Sequence, residues 1–585
     1  MAMRILVSVV FLVGLAGPAR AATSTDTFVS VEADGILTLD PAAMYDLESL
    51  SVALNIYEPL VVYGTDPVKM PFAPFLAAEV PTGDNGLLSA DGRVYSFPIR
   101  KDVRFHDGSQ LCAEDVRYSL LRFLLADTPG GPSAMLLEPI LGVPSTRGKG
   151  GKLRVSYEAA AQAVRTEGDR VVVTLKKPDA SFLDILASWP MVLSKSWAVA
   201  HGEWDGAEAS WTRFNQRPME ESDIRFLANG TGPFVLDSTD SARGLIVLRR
   251  NDFYWRGPAA LKTVVFHEVR SEVMRLAMLQ AGDADYAQLS RSSLRDLAGS
   301  PDIKVLDDID NWATGQTLFF NFGVNPVGTR ALGSGRLDGK GIPPDFFADP
   351  DVRRGFAHAF NFEMFRDYAL RGKGVRVFGP VPFDMFDWKT GPAPYDYDRG
   401  RAAESFRKAA GGKVWAKGFR AEIFFDAVSG EAQAAADLLA SELRAISPSF
   451  DLVPKPVPRN AFLKALEERR LPLFIASFGP DFPDPHSYAF NLMHSAGFFP
   501  RLQRYAQPQA DALVDEARGL SDEAAREKLY RKLQDLYQQD LPQVYLCRPV
   551  AFKALRGGVV APKTDLWLGS FSLHNALYFY RLHKH

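Results

Sequence analysis

Cysteine is almost absent from this chain of 585 residues, which contains only Cys112 and Cys547. Two cysteines are too few to build a disulfide framework of the kind that holds small secreted domains together. An oxidising compartment would permit one bridge between them, but the sequence does not show whether their Cα atoms come within the ~4.4–6.8 Å that a bridge requires. Because Cys112 replaces a helix cap and Cys547 lies in a strand-like run, we expect two free, buried thiols.

A strong charge of either sign is also lacking. The 67 lysines and arginines nearly balance the 70 aspartates and glutamates, which leaves a formal net charge of −3. The chain has no polybasic block, and such blocks are the usual signature of binding to nucleic acid or to a membrane surface. We therefore expect no nucleic-acid partner and no membrane-surface partner.

Motifs of the common catalytic and metal sites are missing. The sequence has no Gly-x-Ser-x-Gly elbow, no His-Glu-x-x-His helix and no Cys-x-x-Cys pair. Gly142 and Gly148 are too far apart for a phosphate-binding loop, and Gly150 stands where that loop has Ser or Thr. His486 and His494 lack the spacing of a chelating pair, so we expect both to be surface or hydrogen-bonded residues. These absences predict no enzymatic activity, no metal site and no cofactor.

The first 21 residues have the pattern of a secretory signal. Arg4 supplies the positive start, residues 5–15 form an apolar core, and Ala19-Arg20-Ala21 is a small-x-small cleavage site. The apolar core is shorter than the about 20 residues that span a bilayer, and no cysteine near the cleavage site could carry a lipid. We expect a soluble periplasmic protein that is not a lipoprotein. An uncleaved N-terminal anchor is the alternative.

Strand-like and helix-like segments alternate along the rest of the chain, which favours an α/β architecture. One helix is predicted over residues 271–280, with Ser271 as its cap and Gly282 at its end. A second is predicted over residues 521–541, with Ser521 as its cap. The residues expected to face a core are Val273, Leu276, Ala277 and Leu279 in the first helix and Leu529, Leu533 and Leu536 in the second.

The most informative segment spans residues 95–116. Apolar and polar residues alternate over 95–100 as in a half-buried strand, and Asp107-Gly108 supplies a turn. Glu114-Asp115 then opens an apolar helix at the end where the helix dipole favours negative charge. This order resembles the signature of the family 5 extracellular solute-binding proteins, which are the peptide-binding receptors of ABC importers. That family usually has Thr where Cys112 stands, and a weaker cap costs roughly 1 kcal/mol.

Four further parts of the chain resemble the same family in the same order. They are residues 39–41 with 55–60, residues 230–234 with 245–255, residues 351–361 and residues 477–485. The resemblance therefore covers nearly the whole chain after the signal.

The resemblance implies an α/β fold with the two lobes of a periplasmic binding protein, type II or cluster C-like, with an extra subdomain and a two-strand hinge. The expected divisions are a signal peptide at 1–21, domain I (lobe 1) at 22–57, 190–268 and 546–585, the extra subdomain at 58–189, and lobe 2 at 269–545. The chain would pass between the lobes in strands around residues 267–270 and 543–547.

A candidate ligand anchor also follows from the resemblance. Asp481 matches the carboxylate with which peptide receptors of this family hold the α-ammonium group of the ligand. A charge-assisted hydrogen bond in a closed, dry cleft is strong, which suits this role. Asp481 and Asp484 could instead form turns beside Pro483 and Pro485. We favour ligand binding for Asp481 and a structural role for Asp484.

The family also brackets an extended ligand between two backbone segments. In this sequence they are Tyr45-Asp46-Leu47 and Ser477-Phe478-Gly479. Adding a strand satisfies the N–H and C=O groups of the ligand without specifying its side chains, so binding can tolerate many sequences. Trp189, Trp255 and Trp388 could line side-chain pockets, but the sequence does not place them.

These observations predict a monomeric periplasmic substrate-binding protein of an ABC transporter. It would capture a short peptide by hinge closure and deliver it to a permease in the inner membrane. Two alternatives stay open. One is a receptor with the same fold for a different small solute, such as a metal complex or an oligosaccharide, and the other is a periplasmic chaperone.

Overall fold

Strands and helices alternate through the residues that the computed structural model describes, namely 24–64, 72–309, 312–386, 395–560 and 576–585. The expected signal peptide and Trp388 lie outside the described residues. The strands are β1 (Thr27–Glu32), β2 (Val61–Tyr63), β3 (Phe72–Pro74), β4 (Val94–Pro98), β5 (Val164–Glu167), β6 (Arg170–Thr174), β7 (Phe234–Asp240), β8 (Leu245–Arg250), β9 (Thr263–Glu268), β10 (Tyr286–Ala287), β11 (Ile303–Ile309), β12 (Gln316–Phe320), β13 (Gly374–Val375), β14 (Phe419–Asp426), β15 (Phe450–Val457), β16 (Leu473–Ala476), β17 (Gln543–Pro549), β18 (Ala551–Arg556), β19 (Val559–Val560) and β20 (His583–Lys584).

The α-helices of the same residues complete the α/β pattern that the sequence predicts. They are α1 (Leu47–Ala53), α2 (Ala113–Ala126), α3 (Ala134–Leu141), α4 (Tyr157–Ala163), α5 (Phe182–Ser188), α6 (Lys195–Ala200), α7 (Trp211–Phe214), α8 (Glu272–Ala281), α9 (Pro350–Ala359), α10 (Phe362–Ala369), α11 (Arg399–Lys408), α12 (Lys413–Lys417), α13 (Gly430–Ile446), α14 (Arg459–Glu467), α15 (Pro485–Met493), α16 (Phe498–Gln503), α17 (Pro508–Arg518) and α18 (Glu523–Asp540).

Two large mixed sheets organise these elements. The first has the strand order β11-β18-β10-β1-β9-β8-β7, in which β1 pairs in parallel with both β9 and β10. The second has the order β13-β17-β12-β16-β14-β15, in which β14 pairs in parallel with β15 and β16. Each sheet contributes to its own large hydrophobic core. We call the units around the first and second sheets lobe 1 and lobe 2.

A smaller antiparallel sheet, β4-β6-β5, lies in the segment expected to form the extra subdomain. Its side chains Tyr95, Phe97, Val171 and Val173 share one continuous core with β1, β8 and β9 of the first sheet. The apolar residues of the alternating pattern over residues 95–100 therefore form the face of this sheet that packs against lobe 1.

The sheet pairings change the expected lobe boundaries. Strands β10 and β11 belong to the first sheet, so lobe 1 continues to Ile309 rather than ending at residue 268. Strand β9 pairs with both β1 and β8 and is an inner strand of that sheet, not a passage between the lobes. Strand β17 pairs with β12 and β13 of the second sheet, so the chain returns to lobe 1 after Pro549. Hydrogen-bonded neighbours decide these boundaries, and local sequence does not reveal them.

The strands that flank the two passages between the lobes pair with each other on both sides, Ile309 with Ala551 and Gln316 with Cys547. One runs between β11 and β12 and the other between β17 and β18. Gly315, at the start of β12, has a φ of +70°, and a Cβ at this position would lie 2.2 Å from the carbonyl oxygen of Cys547. Both the positive φ and this close approach require glycine here.

Both predicted helices form, with differences in detail. Helix α8 has Ser271 as its N-cap and Gly282 as its C-cap, as expected. Leu279 is buried, but Val273 is 75% exposed and Ala277 is also exposed, so the predicted core face was wrong at these two positions. In α18 the N-cap is Asp522 rather than Ser521. The three leucines that mark one face of this helix are buried.

The two cysteines are both free, as predicted. Cys547 is buried in β17, whereas Cys112 is exposed, so the expectation of two buried thiols was wrong for Cys112. Cys112 occupies the N-cap of α2, where its amide N–H and its thiol both donate to the Asp115 carboxylate, at 3.0 and 3.1 Å. The acidic residue thus compensates for the weak cap.

Candidate functional site

The first expected binding segment lies in the loop that enters α1. Asp46 is the N-cap of this helix, because its Oδ1 accepts from the Ser49 amide at 2.9 Å. Its carbonyl accepts from the Leu50 amide, and Leu47 is the first helical residue. Asp46 therefore orders the loop, and Tyr45 is the residue of this segment that reaches lobe 2.

The second expected segment follows β16 of lobe 2. The Phe478 amide donates to Thr314 Oγ1 at 3.1 Å, and its carbonyl accepts from the Thr314 amide at 2.7 Å. The Phe478 amide is therefore already committed, and its carbonyl already accepts one hydrogen bond. No backbone hydrogen bond joins Ser477 or Gly479 to another described residue, and Ser477 is exposed. These two residues keep the free groups that strand addition needs.

Asp481 lies where the two lobes meet. The Tyr45 hydroxyl donates to Asp481 Oδ1 at 2.7 Å, and Trp189 Nε1 donates to the Asp481 carbonyl at 2.7 Å. The rings of Tyr45 and Trp189 pack edge to face, with centroids 5.1 Å apart. The Asp481 amide donates to Ser487 Oγ at 3.0 Å, which ties the segment to α15. Tyr45 and Trp189 come from lobe 1, so the structure brings three distant segments together around one carboxylate.

The Asp481 carboxylate lacks a cation. Its side chain accepts a hydrogen bond from Tyr45, and no lysine, arginine or histidine of the described residues lies within ion-pair distance of it. Burial raises the pKa of the Asp481 carboxyl to about 6, although the hydrogen bond from Tyr45 opposes part of this rise. Burial and the Asp481 charge raise the pKa of the Tyr45 hydroxyl well above its ordinary value, so this hydroxyl remains a donor.

A cleft of about 150 Å³ opens beside Asp481. Its walls come from both lobes and combine apolar surface with a few polar groups. The lining includes Tyr45, Met135, Ile185, Phe490, His486 and Asn491. Such a mixture, mostly apolar with a few convergent polar groups, is typical of small-ligand sites.

His486 differs from its expected role. It is 4% exposed, and its Nδ1 has no hydrogen-bond partner among the described residues. Burial, together with the charges of Arg518 and Arg526, lowers the pKa of this imidazole well below its ordinary value, so it is neutral. From the sequence we expect a surface or hydrogen-bonded histidine at this position. Its position in the first turn of α15, directly after the segment that contains Asp481, was the sequence signal that could have placed it at the cleft.

Asp484 has the structural role that the sequence analysis favoured. It is the N-cap of α15, with its Oδ1 accepting from the His486 amide at 2.7 Å. The same oxygen accepts from Arg526 Nη2 at 2.7 Å, and both side chains are largely buried. This pairing leaves Asp481 as the unpaired carboxylate of the segment.

The remaining tryptophans do not contribute to the cleft that the structure describes. Trp255 Nε1 donates to Glu58 Oε2 at 2.9 Å, inside the core of lobe 1. Trp189, which the sequence did not place, belongs to the site through its contact with Asp481.

The family model described as "Bacterial extracellular solute-binding proteins, family 5 Middle" matches residues 72–500. This chain belongs to that family. Heme-binding protein A of Haemophilus influenzae is 22% identical to this family 5 protein over 548 residues, which cover 91% of this chain and 89% of the relative. Di/tripeptide-binding protein 2 of Pseudomonas aeruginosa is 22% identical over 508 residues, which cover 83% of this chain and 84% of the relative.

A solved structure supports the fold. The ABC transporter-associated periplasmic binding protein DppA from Helicobacter pylori, in complex with the peptide STSA, superimposes with a TM-score of 0.71. The two are 21% identical, and the match covers 95% of this chain and 98% of the other. The predicted two-lobed α/β fold of a periplasmic binding protein is therefore confirmed.

Side chains of the two lobes also contact each other at the wall of the cleft of this family 5 protein, which Glu138 and Arg518 both line. Arg518 Nε of lobe 2 pairs with Asp179 Oδ2 at 2.7 Å, and its Nη1 pairs with Glu138 Oε2 at 3.2 Å. The Ala180 amide donates to the Arg518 carbonyl at 2.9 Å. These contacts, with the one between Tyr45 and Asp481, hold the lobes against each other.

Two further features bear on the classes of function. Among the described residues, no group of three or more His, Cys, Asp and Glu side chains is placed to hold a metal ion. Within the same residues, no helix combines the length and the apolar character needed to cross a membrane.

Proposed function

We propose that this family 5 protein captures short peptides in the periplasm for an ABC importer and that Asp481 holds the α-ammonium group of the peptide. The observation that carries the proposal is the unpaired carboxylate of Asp481, which faces a cleft between the lobes with Tyr45 as its partner. The peptide-binding relatives and the peptide complex of similar fold support the same ligand class.

The energetics favour a cationic ligand group. An ionised carboxylate that is removed from water without a compensating charge is costly, and a neutral hydroxyl supplies only part of the compensation. An ammonium group in the cleft would provide a charge-assisted hydrogen bond and offset this cost. The cleft therefore selects ligands that place a positively charged amine next to the Asp481 carboxylate.

The peptide backbone has matching groups on the lobe 2 side. Ser477 and Gly479 offer the backbone N–H and C=O groups that strand addition uses. Phe478 lies between them, and its backbone is hydrogen-bonded to Thr314. Its ring packs into lobe 2 against Tyr488 and Phe499. A peptide anchored at Asp481 would then extend along this segment towards β16.

The contacts between the lobes suggest the mechanism. The ligand amine would meet Asp481 of lobe 2, while Tyr45 and Trp189 of lobe 1 close over the same carboxylate. A ligand that interacts with both lobes shifts the equilibrium towards the closed state. The two passages at Gly315 and Cys547 would form the hinge, and the closed monomer would present its ligand to an inner-membrane permease.

The test compares free and N-acetylated peptides. Native mass spectrometry of the purified protein identifies any retained peptide, and calorimetry with di- and tripeptide pools measures affinity. We expect Asp481→Asn to weaken free peptides about 30-fold or more, because disrupting one partner of a buried charge pair costs ~2–5 kcal/mol and each ~1.4 kcal/mol is tenfold. Acetylated peptides should bind the wild type poorly and lose little on mutation.

A matched control separates this effect from a change of net charge. Asp535 is exposed on α18 and makes no ion pair with any described residue, so Asp535→Asn should leave peptide affinity unchanged. Equal binding of free and acetylated peptides to the wild type would exclude Asp481 as the amine anchor. A retained metal complex or sugar in place of a peptide would overturn the peptide assignment itself.

A further inference from the structure

Lobe 1 contains a second cavity, of about 180 Å³, next to the start of α1. It is lined by the ends of β1, β9 and β10, by β18 and by the first turn of α1. Leu47 and Glu48 face this cavity, whereas Tyr45 lines the cleft beside Asp481. Asp481 is not among its lining residues. The start of α1 therefore separates two cavities that share no lining residue.

Two opposite charges face this cavity without pairing with each other. Lys553 is 9% exposed, and its Nζ donates to the Tyr286 hydroxyl at 3.1 Å. Glu32 Oε1 accepts from Ser30 Oγ at 2.7 Å. The ammonium and carboxylate groups lie beyond the 4.0 Å of an ion pair, and neither has a further hydrogen bond to a described residue. An ammonium has three donors, and the Lys553 ammonium, which also lies over the Tyr286 ring 4.6 Å from its centroid, has no second hydrogen-bond acceptor among the described residues.

Keeping these charges apart is costly. Burial lowers the pKa of the Lys553 ammonium to about 8, and burial raises the pKa of the Glu32 carboxyl, with Lys553 opposing that rise. Direct contact between the two groups would reduce the penalty, yet the fold holds them on the wall of an open cavity. Arg275, the other cation near Glu32, is committed to the carbonyls of Val269, Arg270 and Gln288.

We propose that this cavity binds a small zwitterion, an α-amino acid, whose carboxylate pairs with Lys553 and whose ammonium pairs with Glu32. One molecule of this class supplies both missing partners at once. Its side chain would contact the apolar wall formed by Ile36, Phe266 and Phe579.

The other charges at the cavity set the order of preference. Glu268 is paired with Arg270 at 2.7 Å, but the Glu48 side chain has no hydrogen-bond or ion-pair partner among the described residues. Burial raises the pKa of the Glu48 carboxyl, and the charges of Asp46 and Asp34 add to the rise. The excess of acidic groups favours basic amino acids over neutral ones and disfavours acidic ones.

The test uses L-arginine, L-alanine and L-glutamate with the full mature protein. Calorimetry and ligand-observed NMR should show one arginine bound per chain, with weaker binding of alanine and the weakest binding of glutamate. Lys553→Met, which keeps most of the apolar stem, and Glu32→Gln should each weaken arginine at least tenfold. Lys553→Arg, which keeps the charge, should restore most of the affinity.

Agmatine, which is arginine without its carboxylate, provides the matched probe for Lys553. Binding of agmatine should be weaker than that of arginine and should not fall on Lys553→Met. If Lys553→Met weakens agmatine and arginine equally, Lys553 is only structural and the proposal fails. Absence of binding by all three amino acids up to about 10 mM, well above the millimolar range of weak sites, would show a cavity filled by water and would also overturn it.

Two variants test the peptide site and this cavity independently of each other. Asp481→Asn should lose peptide binding and keep arginine binding, whereas Lys553→Met should do the reverse. Loss of arginine binding in Asp481→Asn, with retention in Lys553→Met, would place the amino acid in the cleft between the lobes and refute a second site.

Discussion

Replacement of Asp481 by asparagine should stabilise the ligand-free protein at neutral pH, although it removes the proposed ligand anchor. The Asp481 carboxyl has an ordinary pKa of 3.8, and burial raises it to about 6 in the folded protein. A rise of about 2 pH units corresponds to roughly 3 kcal/mol, at 1.36 kcal/mol per unit. Asparagine keeps an oxygen for the Tyr45 hydroxyl and avoids this cost.

The pH window follows from the direction of the shift. The unfolded chain releases the Asp481 proton near pH 3.8, whereas the folded protein holds it until about pH 6. Unfolding is therefore favoured progressively as pH rises through this window, and the penalty is complete above it. The advantage of Asp481→Asn should be small at pH 4 and close to its full value at pH 7.5.

Thermal unfolding measures this difference. For 585 residues, an unfolding entropy of ~2.1 cal/mol/K per residue gives about 1.2 kcal/mol/K, so 3 kcal/mol corresponds to a rise of about 2.5 °C. Saturating peptide should reverse the order, because the wild type gains the charge pair and the variant does not. A lower melting temperature of Asp481→Asn at pH 7.5, or an effect of the same size at pH 4, would contradict this prediction. Asp535→Asn should show no such dependence.

Three other outcomes are expected. Peptide affinity measured by calorimetry should fall as pH drops below about 6, because protonation of Asp481 removes the charge that holds the amine, and equal affinities at pH 7.5 and 5 would contradict this. Arg518→Met leaves Asp179, whose side chain is 2% exposed, without its cation at a cost of ~3–5 kcal/mol. Solution scattering should then show a larger radius of gyration for the ligand-free protein, and an unchanged radius would mean that this pair does not hold the lobes together. Cys112 should react with a thiol reagent in the folded protein and Cys547 only after denaturation, since burial raises the pKa of the Cys547 thiol to about 12. A disulfide-linked peptide containing both cysteines would contradict free thiols.

Local patterns predicted the parts of the fold that depend on near neighbours. Ser271 and Gly282 define the ends of α8, because a cap and a left-handed C-terminal residue act over a few positions. The alternation near Tyr95 predicts β4 for the same reason. The burial of Val273 was predicted wrongly, because which face of α8 is covered depends on strands from other parts of the chain.

By itself, the sequence determined the fold class and the family, and it singled out Asp481 as the candidate ligand anchor. Only the tertiary structure decided which groups surround that carboxylate. Tyr45 lies 436 positions away along the chain from Asp481, and Trp189 lies 292 positions away. The same holds for Lys553 and Glu32, which strand order places at one cavity. Hydrogen bonding between strands and packing between lobes bring such residues together, and no spacing along the chain encodes either.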